Sequence, residues 1–136
     1  MKTNIVSKYL PDTNALLETF WGDEPTASQV KQWIKQGEIA LSAIVIAEVL
    51  SKASSDEQAK LKLLTSKFGV LPVDQPVAEI AGDYRQQFNH KTTRIYLLDC
   101  LIAATAKLYN LTLVTRNTND YPMTDITILN PYKISV

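Results

Sequence analysis

A chain of 136 residues, 46% of them hydrophobic with only four glycines and six prolines, has the size of one ordinary domain and enough apolar material for a packed core. That excludes a disordered or fibrous chain. Fourteen basic residues balance fourteen acidic ones, which excludes passive, charge-driven coating of nucleic acid but not a site that gathers acids in one place. No run reaches the roughly 18–20 apolar residues of a membrane span, residues 1–6 lack the pattern of a signal peptide, and Cys100 has no partner cysteine, so a single cytoplasmic domain over residues 1–136 is expected.

The apolar stretch 5–10 stops at Pro11 and Asp12 and gives way to Ala15, Leu16 and Leu17, the pattern of a strand running into a helix. A second helix is expected from near Thr26, with Val30, Trp33 and Ile34 at helical spacing and Gly37 as its stop. Residues 39–41 read as a short buried strand, and Ser42 as the N-cap of an apolar helix from Ala43 to about Lys52. Ser55 and Asp56 are expected to cap the next helix, which sets Leu61, Leu64 and Phe68 on one face. A third strand, 70–73, ends at Asp74, and Pro76 suits the first turn of a helix running to about Phe88. The polar, basic segment 89–96 reads as a loop. A helix from Asp99 to about Tyr109 then stops at Asn110, and strands at 111–115 and 126–129 complete the pattern. Strands alternating with helices predict an α/β/α sandwich around a five-stranded, mostly parallel sheet.

In such a sheet the C-terminal strand ends share one edge, and ligands bind in the crevice there. Asp12 follows the first strand; Asn117 and Asp120 follow the fourth. A helix that precedes a parallel strand starts at the same edge, which brings Asp99 to it. Glu48 lies about 9 Å down its helix from Ser42, within reach of that edge. Four acids so gathered repel one another unless a cation sits among them, and oxygen ligands without His or Cys select Mg²⁺ or Mn²⁺ over zinc. Such ions activate water and stabilise in-line attack on a phosphodiester.

Each acid also has a plainer reading. Asp12 suits a turn or N-cap, Asp99 a helix cap, and Asp120 sits among turn formers. Glu48 interrupts an otherwise apolar helix, where its plain role is a surface pair with Lys52 at i,i+4.

At these residues the chain resembles the PIN domain family, and most closely the VapC-type toxins of toxin–antitoxin pairs. The segment Leu10-Pro11-Asp12-Thr13-Asn14-Ala15-Leu16-Leu17 resembles the family's opening hydrophobic-Asp-Thr-Asn motif. Residues 42–50 resemble the helix that carries its glutamate. Leu98-Asp99-Cys100-Leu101-Ile102-Ala103-Ala104 resembles the third motif, and residues 113–121 resemble the last, Thr-x-Asn followed by an acid and an aromatic. The resemblance spans nearly the whole chain. It implies a five-stranded parallel sheet, an Mg²⁺ or Mn²⁺ site, endoribonuclease activity on RNA, a homodimer and inhibition by a small antitoxin. By it, Asp12, Glu48 and Asp99 match the core metal ligands and catalytic acids, and Asp120 the variable fourth acid. Asn14, Thr115 and Asn117 match supporting polar positions. The apolar lead-in Ile95-Tyr96-Leu97-Leu98 departs from the polar one expected.

Arg94 and Arg116, with His90 and Lys91, are candidates to line a phosphate path beside the acids; the plain alternative is solvated loop charge. Leu16, Leu17, Phe20, Trp21, Trp33 and Ile34 form a candidate interaction face on the early helices, although core packing accounts for Trp21 and Trp33 equally well. Cys100, set among apolar neighbours, reads as structural. Three other readings stay open. One is a housekeeping RNA-processing nuclease. Another is a phosphatase or phosphotransfer domain with Asp12 as nucleophile, and the third is a non-catalytic binding module.

Overall fold

Three short parallel strands stand side by side in the order β1 (Tyr9–Pro11), β2 (Thr112–Val114) and β3 (Thr127–Leu129). In register, Leu10 pairs with Leu113 and Leu113 with Ile128. The computed structural model describes residues 8–133, so residues 5–7 of the first expected strand lie outside the described residues.

Among the described residues six α-helices pack around this sheet: α1 (Thr13–Trp21), α2 (Thr26–Gln36), α3 (Ala43–Leu50), α4 (Ser55–Phe68), α5 (Gln75–Phe88) and α6 (Leu97–Tyr109). Helix α1 lies along α2, and α5 along α6. Their apolar faces meet the strands in one core, in which Leu10, Leu16, Val45, Val49 and Leu113 are fully buried. Each such side chain withdrawn from water contributes about 1.5–3 kcal/mol before entropy is counted. The ring of Trp33 stacks on Tyr9 at 3.8 Å, fastening α2 to the edge of β1.

The expected five-stranded sheet is corrected to three strands among the described residues. Segments 39–41 and 70–73 supply isolated parallel bridges instead, Ile39 beside Tyr9 and Ser42 beside Leu71. The bridging hydrogen bonds are sound: Ala40 N–H to Tyr9 O at 2.9 Å, and Leu71 N–H to Leu41 O at 2.8 Å. The Ser42–Leu71 bridge stops where the chain enters α3 at Ala43 and where Pro72 has no N–H to donate.

Local signals end the helices as expected. Gly37 and Asn110 take the left-handed conformation, with φ of 74° and 54°, and their N–H groups close the last turns of α2 and α6. Ser42 Oγ accepts the Val45 N–H at 3.1 Å, and Asp74 caps α5. Two starts differ. Helix α4 is capped by Ser54, not Ser55 or Asp56, in a reciprocal capping box with Glu57. Helix α6 begins at Leu97, so Asp99 is its third residue and not its cap. The early-helix interaction face is also corrected: Leu16, Leu17 and Trp33 are core, while Trp21 is exposed and donates to Glu57 at 2.9 Å.

Candidate metal and active site

The sheet and the helix starts deliver the acids to one edge. Asp12 follows β1, where its N–H bonds to Val114 O at 3.0 Å, and its carboxylate caps α1 by accepting the Ala15 N–H at 2.8 Å. Thr115, fully buried beyond β2, stands beside Asp12, where its side chain favours the ionised carboxylate, and it accepts the Asn117 N–H at 3.0 Å. The chain then makes a 3₁₀ turn, Thr118–Asp120, that carries Asp120. From α3, half-buried Glu48 accepts the Thr13 hydroxyl at 2.6 Å. Asp99 comes from the first turn of α6, with the Tyr121 hydroxyl 3.5 Å from its Oδ1.

These side chains line one narrow, mostly polar cleft of about 110 Å³. Asp12, Glu48, Asp99 and Asp120 share it with Thr13, Asn14, Lys52, Ile102, Asn117 and Tyr121. The four acids named from the sequence are brought together, as are Asn14 and Asn117; Thr115 is not among the lining residues and stands beside Asp12.

The acids feel one another. Burial, then the charges of Asp120, Glu48 and Asp12, push the Asp99 carboxyl up to about 6, and the Tyr121 hydrogen bond only partly opposes them. Asp12 is also raised, by burial first; the Thr115 side chain and the Ala15 N–H favour the ionised form, while Glu18 and Asp120 add to the rise. Among the described residues no three of these groups stand close enough to grip one ion as they lie. Two of them are held by neighbours, Asp12 by the Ala15 N–H and Glu48 by Thr13. The donor set still suits a hard divalent ion, because Mg²⁺ keeps several waters and takes only one or two carboxylates directly.

The pairing of Glu48 with Lys52 does not form: the ion pairs among the described residues are Lys107–Asp125 and Arg116–Glu18. Arg116 is therefore not a cleft residue. Its guanidinium pairs with buried Glu18 at 3.2 Å and lies over the Tyr132 ring, because a buried carboxylate draws the nearest cation. Glu18 further accepts the hydroxyls of Thr26 and Tyr132. Arg94, His90 and Lys91 are exposed on the loop after α5 and do not line the cleft. Four lining residues are not legible as such in the sequence. Thr13, Ile102 and Tyr121 lie inside the motifs given above, and Lys52 reads there only as a partner for Glu48.

The PIN domain model matches residues 9–124, a span that holds every residue of this cleft. The chain belongs to the PIN domain family. This PIN domain is 35% identical over 89 residues to Ribonuclease VapC10 of Mycobacterium tuberculosis, an alignment covering 65% of this chain and 67% of that protein. It is 31% identical over 139 positions to Toxin FitB of Neisseria gonorrhoeae, covering 90% and 97%. Its backbone superposes with a TM-score of 0.74 on a chain from a toxin–antitoxin complex of Klebsiella pneumoniae, 30% identical, covering 93% of this chain and 100% of that one. Among the described residues no helix of this PIN domain is long and apolar enough to cross a membrane.

Proposed function

We propose that this PIN domain is an Mg²⁺- or Mn²⁺-dependent endoribonuclease, the toxin of a toxin–antitoxin pair, in which Asp12, Glu48, Asp99 and Asp120 are the metal-binding and catalytic acids. The observation that carries the reading is the gathering of four carboxylates from separate elements into one polar cleft. Relatives that bear the names ribonuclease and toxin, and a similar chain solved in a toxin–antitoxin complex, support it.

A bound divalent ion supplies an activated water and charge to offset a phosphodiester under in-line attack. The protein's own contribution is placement. The Ala15 N–H holds Asp12 while Thr13 holds Glu48, so two acids are oriented before RNA arrives. Asn14 and Asn117 offer amide groups to water or phosphate at the same edge. Burial and the neighbouring charges push the Asp99 carboxyl up to about 6, so below that pH ion binding displaces a proton from it.

A phosphatase with Asp12 as nucleophile fits less well. Asp12 is buried, and one of its oxygens is engaged as the cap of α1. A binding module that had lost its chemistry would show damaged acid positions, and all four acids are present.

Two partners belong to the proposal, a cognate antitoxin and a second copy of the chain. The antitoxin's place is the open part of the early-helix region. There Phe20, Ile34, Leu63 and Leu64 line a groove of about 420 Å³ rimmed by Lys31, Lys60 and Lys67, which suits an amphipathic segment with acidic flanks.

The test is cleavage of a panel of structured RNAs by the purified protein in Mg²⁺ or Mn²⁺. Cleavage that stops in excess chelator and returns with the ion is expected. Cleavage unchanged in chelator overturns the metal site, and no cleavage across the panel overturns the nuclease.

A further inference from the structure

Among the described residues Lys52 is the one basic side chain lining the acid cleft. It sits in the turn that closes α3, where its N–H bonds to Val49 O at 3.0 Å and the Ser51 hydroxyl bonds to Glu48 O at 2.6 Å. Four residues along a helix surface from Glu48, it is placed for an ordinary i,i+4 pair. That pair does not form: Glu48 Oε1 accepts the Thr13 hydroxyl, and Lys52 makes no ion pair among the described residues. Lys52 thus lines the same cleft as four carboxylates and makes no ion pair with any of them. Lys52 is exposed and adds nothing to the apolar core.

A positive charge beside a divalent-cation site opposes occupancy of that site, so it is useful only when an anion arrives with the ion. A nucleic acid strand brings such an anion at every nucleotide, and a lysine on a flexible stem meets a phosphate as a point charge. We infer that Lys52 contacts a backbone phosphate of the bound RNA at the rim of the cleft, next to the phosphate that is cut. The inference rests on the ribonuclease reading above. It makes Lys52 a substrate-binding residue that draws the strand across an otherwise acidic surface.

The experiment compares the parent, Lys52→Gln and Lys52→Arg on one RNA that the parent cleaves, over a series of salt concentrations. Mn²⁺ binding and thermal melting are measured separately without RNA. Lys52→Gln is expected to raise KM about tenfold with kcat within about twofold, as loss of one charge-assisted contact implies. The slope of log(kcat/KM) against log salt becomes shallower by about 0.7, one phosphate contact on a single strand. Lys52→Arg restores both, and Lys52→Gln binds Mn²⁺ at least as tightly as the parent. Unchanged KM and salt slope in Lys52→Gln overturn the inference and leave Lys52 as a cation at a helix C-terminus. Weaker Mn²⁺ binding with a lower melting temperature and unchanged KM also overturns it, in favour of a structural role. A parent that cleaves no RNA overturns the ribonuclease reading and this inference with it, whereas a cleaving parent matched by Lys52→Gln overturns this inference alone.

Discussion

The Thr13 hydroxyl donates to Oε1 of Glu48 at 2.6 Å, joining the first residue of α1 to the middle of α3. The bond orients an acid that comes from a different helix than Asp12 does, so it sets the spacing between two proposed ligands. Thr13→Val keeps the shape and removes the donor. It is expected to weaken Mn²⁺ affinity and RNA cleavage by about 10–100-fold, the usual cost of losing a residue that orients a ligand. Thr13→Ser keeps the donor and stays near the parent. Titration of Mn²⁺ into the three proteins checks this, and equal affinities would remove Thr13 from the site.

Asp99 is surrounded by Asp120, Glu48 and Asp12, whose charges all oppose its ionisation. Asp99→Asn removes that repulsion, so the metal-free protein is expected to melt at the same temperature or up to about 5 °C higher. The same change deletes a ligand. The parent gains about 2.7 kcal/mol when the ion is present at a hundredfold over Kd, and the variant loses most of that gain together with its activity. Melts of both proteins in chelator and in Mn²⁺ decide. If both gain equally from the ion, Asp99 is not a ligand.

The pH dependence follows from the same carboxyl. Asp99 has an ordinary value of 3.8 and is pushed up to about 6 in the fold. Between those values the folded protein holds a proton that the unfolded chain has released. Asp99 therefore makes stability fall as pH rises from about 4 to about 6, and above that the penalty is fully present. The measurable quantity is the difference in metal-free stability between the parent and Asp99→Asn, which should change across this window and be flat above it. Saturating Mn²⁺ favours the charged carboxylate, so its stabilising effect should grow as pH rises through the same range. A difference that is flat from pH 4 to 7 contradicts the placement of Asp99 among the other acids.

Arg116 is expected to act on stability, not on RNA contact. Arg116→Met leaves buried Glu18 with only the Thr26 and Tyr132 hydroxyls. Because Arg116 is half exposed, water screens the pair, and the loss is about 1–2 kcal/mol, less than the 3–5 kcal/mol of a fully buried one. The salt dependence of cleavage should match the parent. Denaturant unfolding beside a salt series checks both, and a shallower salt slope with full stability would return Arg116 to the phosphate path.

Much of this protein is decided within a few residues of chain. Ser42 and Asp74 start helices, and Gly37 and Asn110 end them, because one side chain or one left-handed residue satisfies backbone groups in its own turn. The placement of Asp12, Glu48, Asp99 and Asp120 at one edge was legible for a related reason. A parallel α/β arrangement returns strand ends and helix starts to the same side whatever the intervening residues are. Other features depend on partners distant in sequence, and only the tertiary structure decided them. Segments 39–41 and 70–73 have the composition of strands, yet make single bridges, and the Ser42–Leu71 bridge stops where the chain enters α3 and Pro72 offers no donor. Arg116 and Lys52 are both cations near the acids in sequence terms, and their places were exchanged. Glu18, buried on α1, pairs with Arg116, while Glu48 accepts from Thr13 and Lys52 lines the cleft without an ion pair. Each outcome is a competition between groups far apart along the chain for one hydrogen bond or charge. The winner depends on burial, which no local pattern of residues contains.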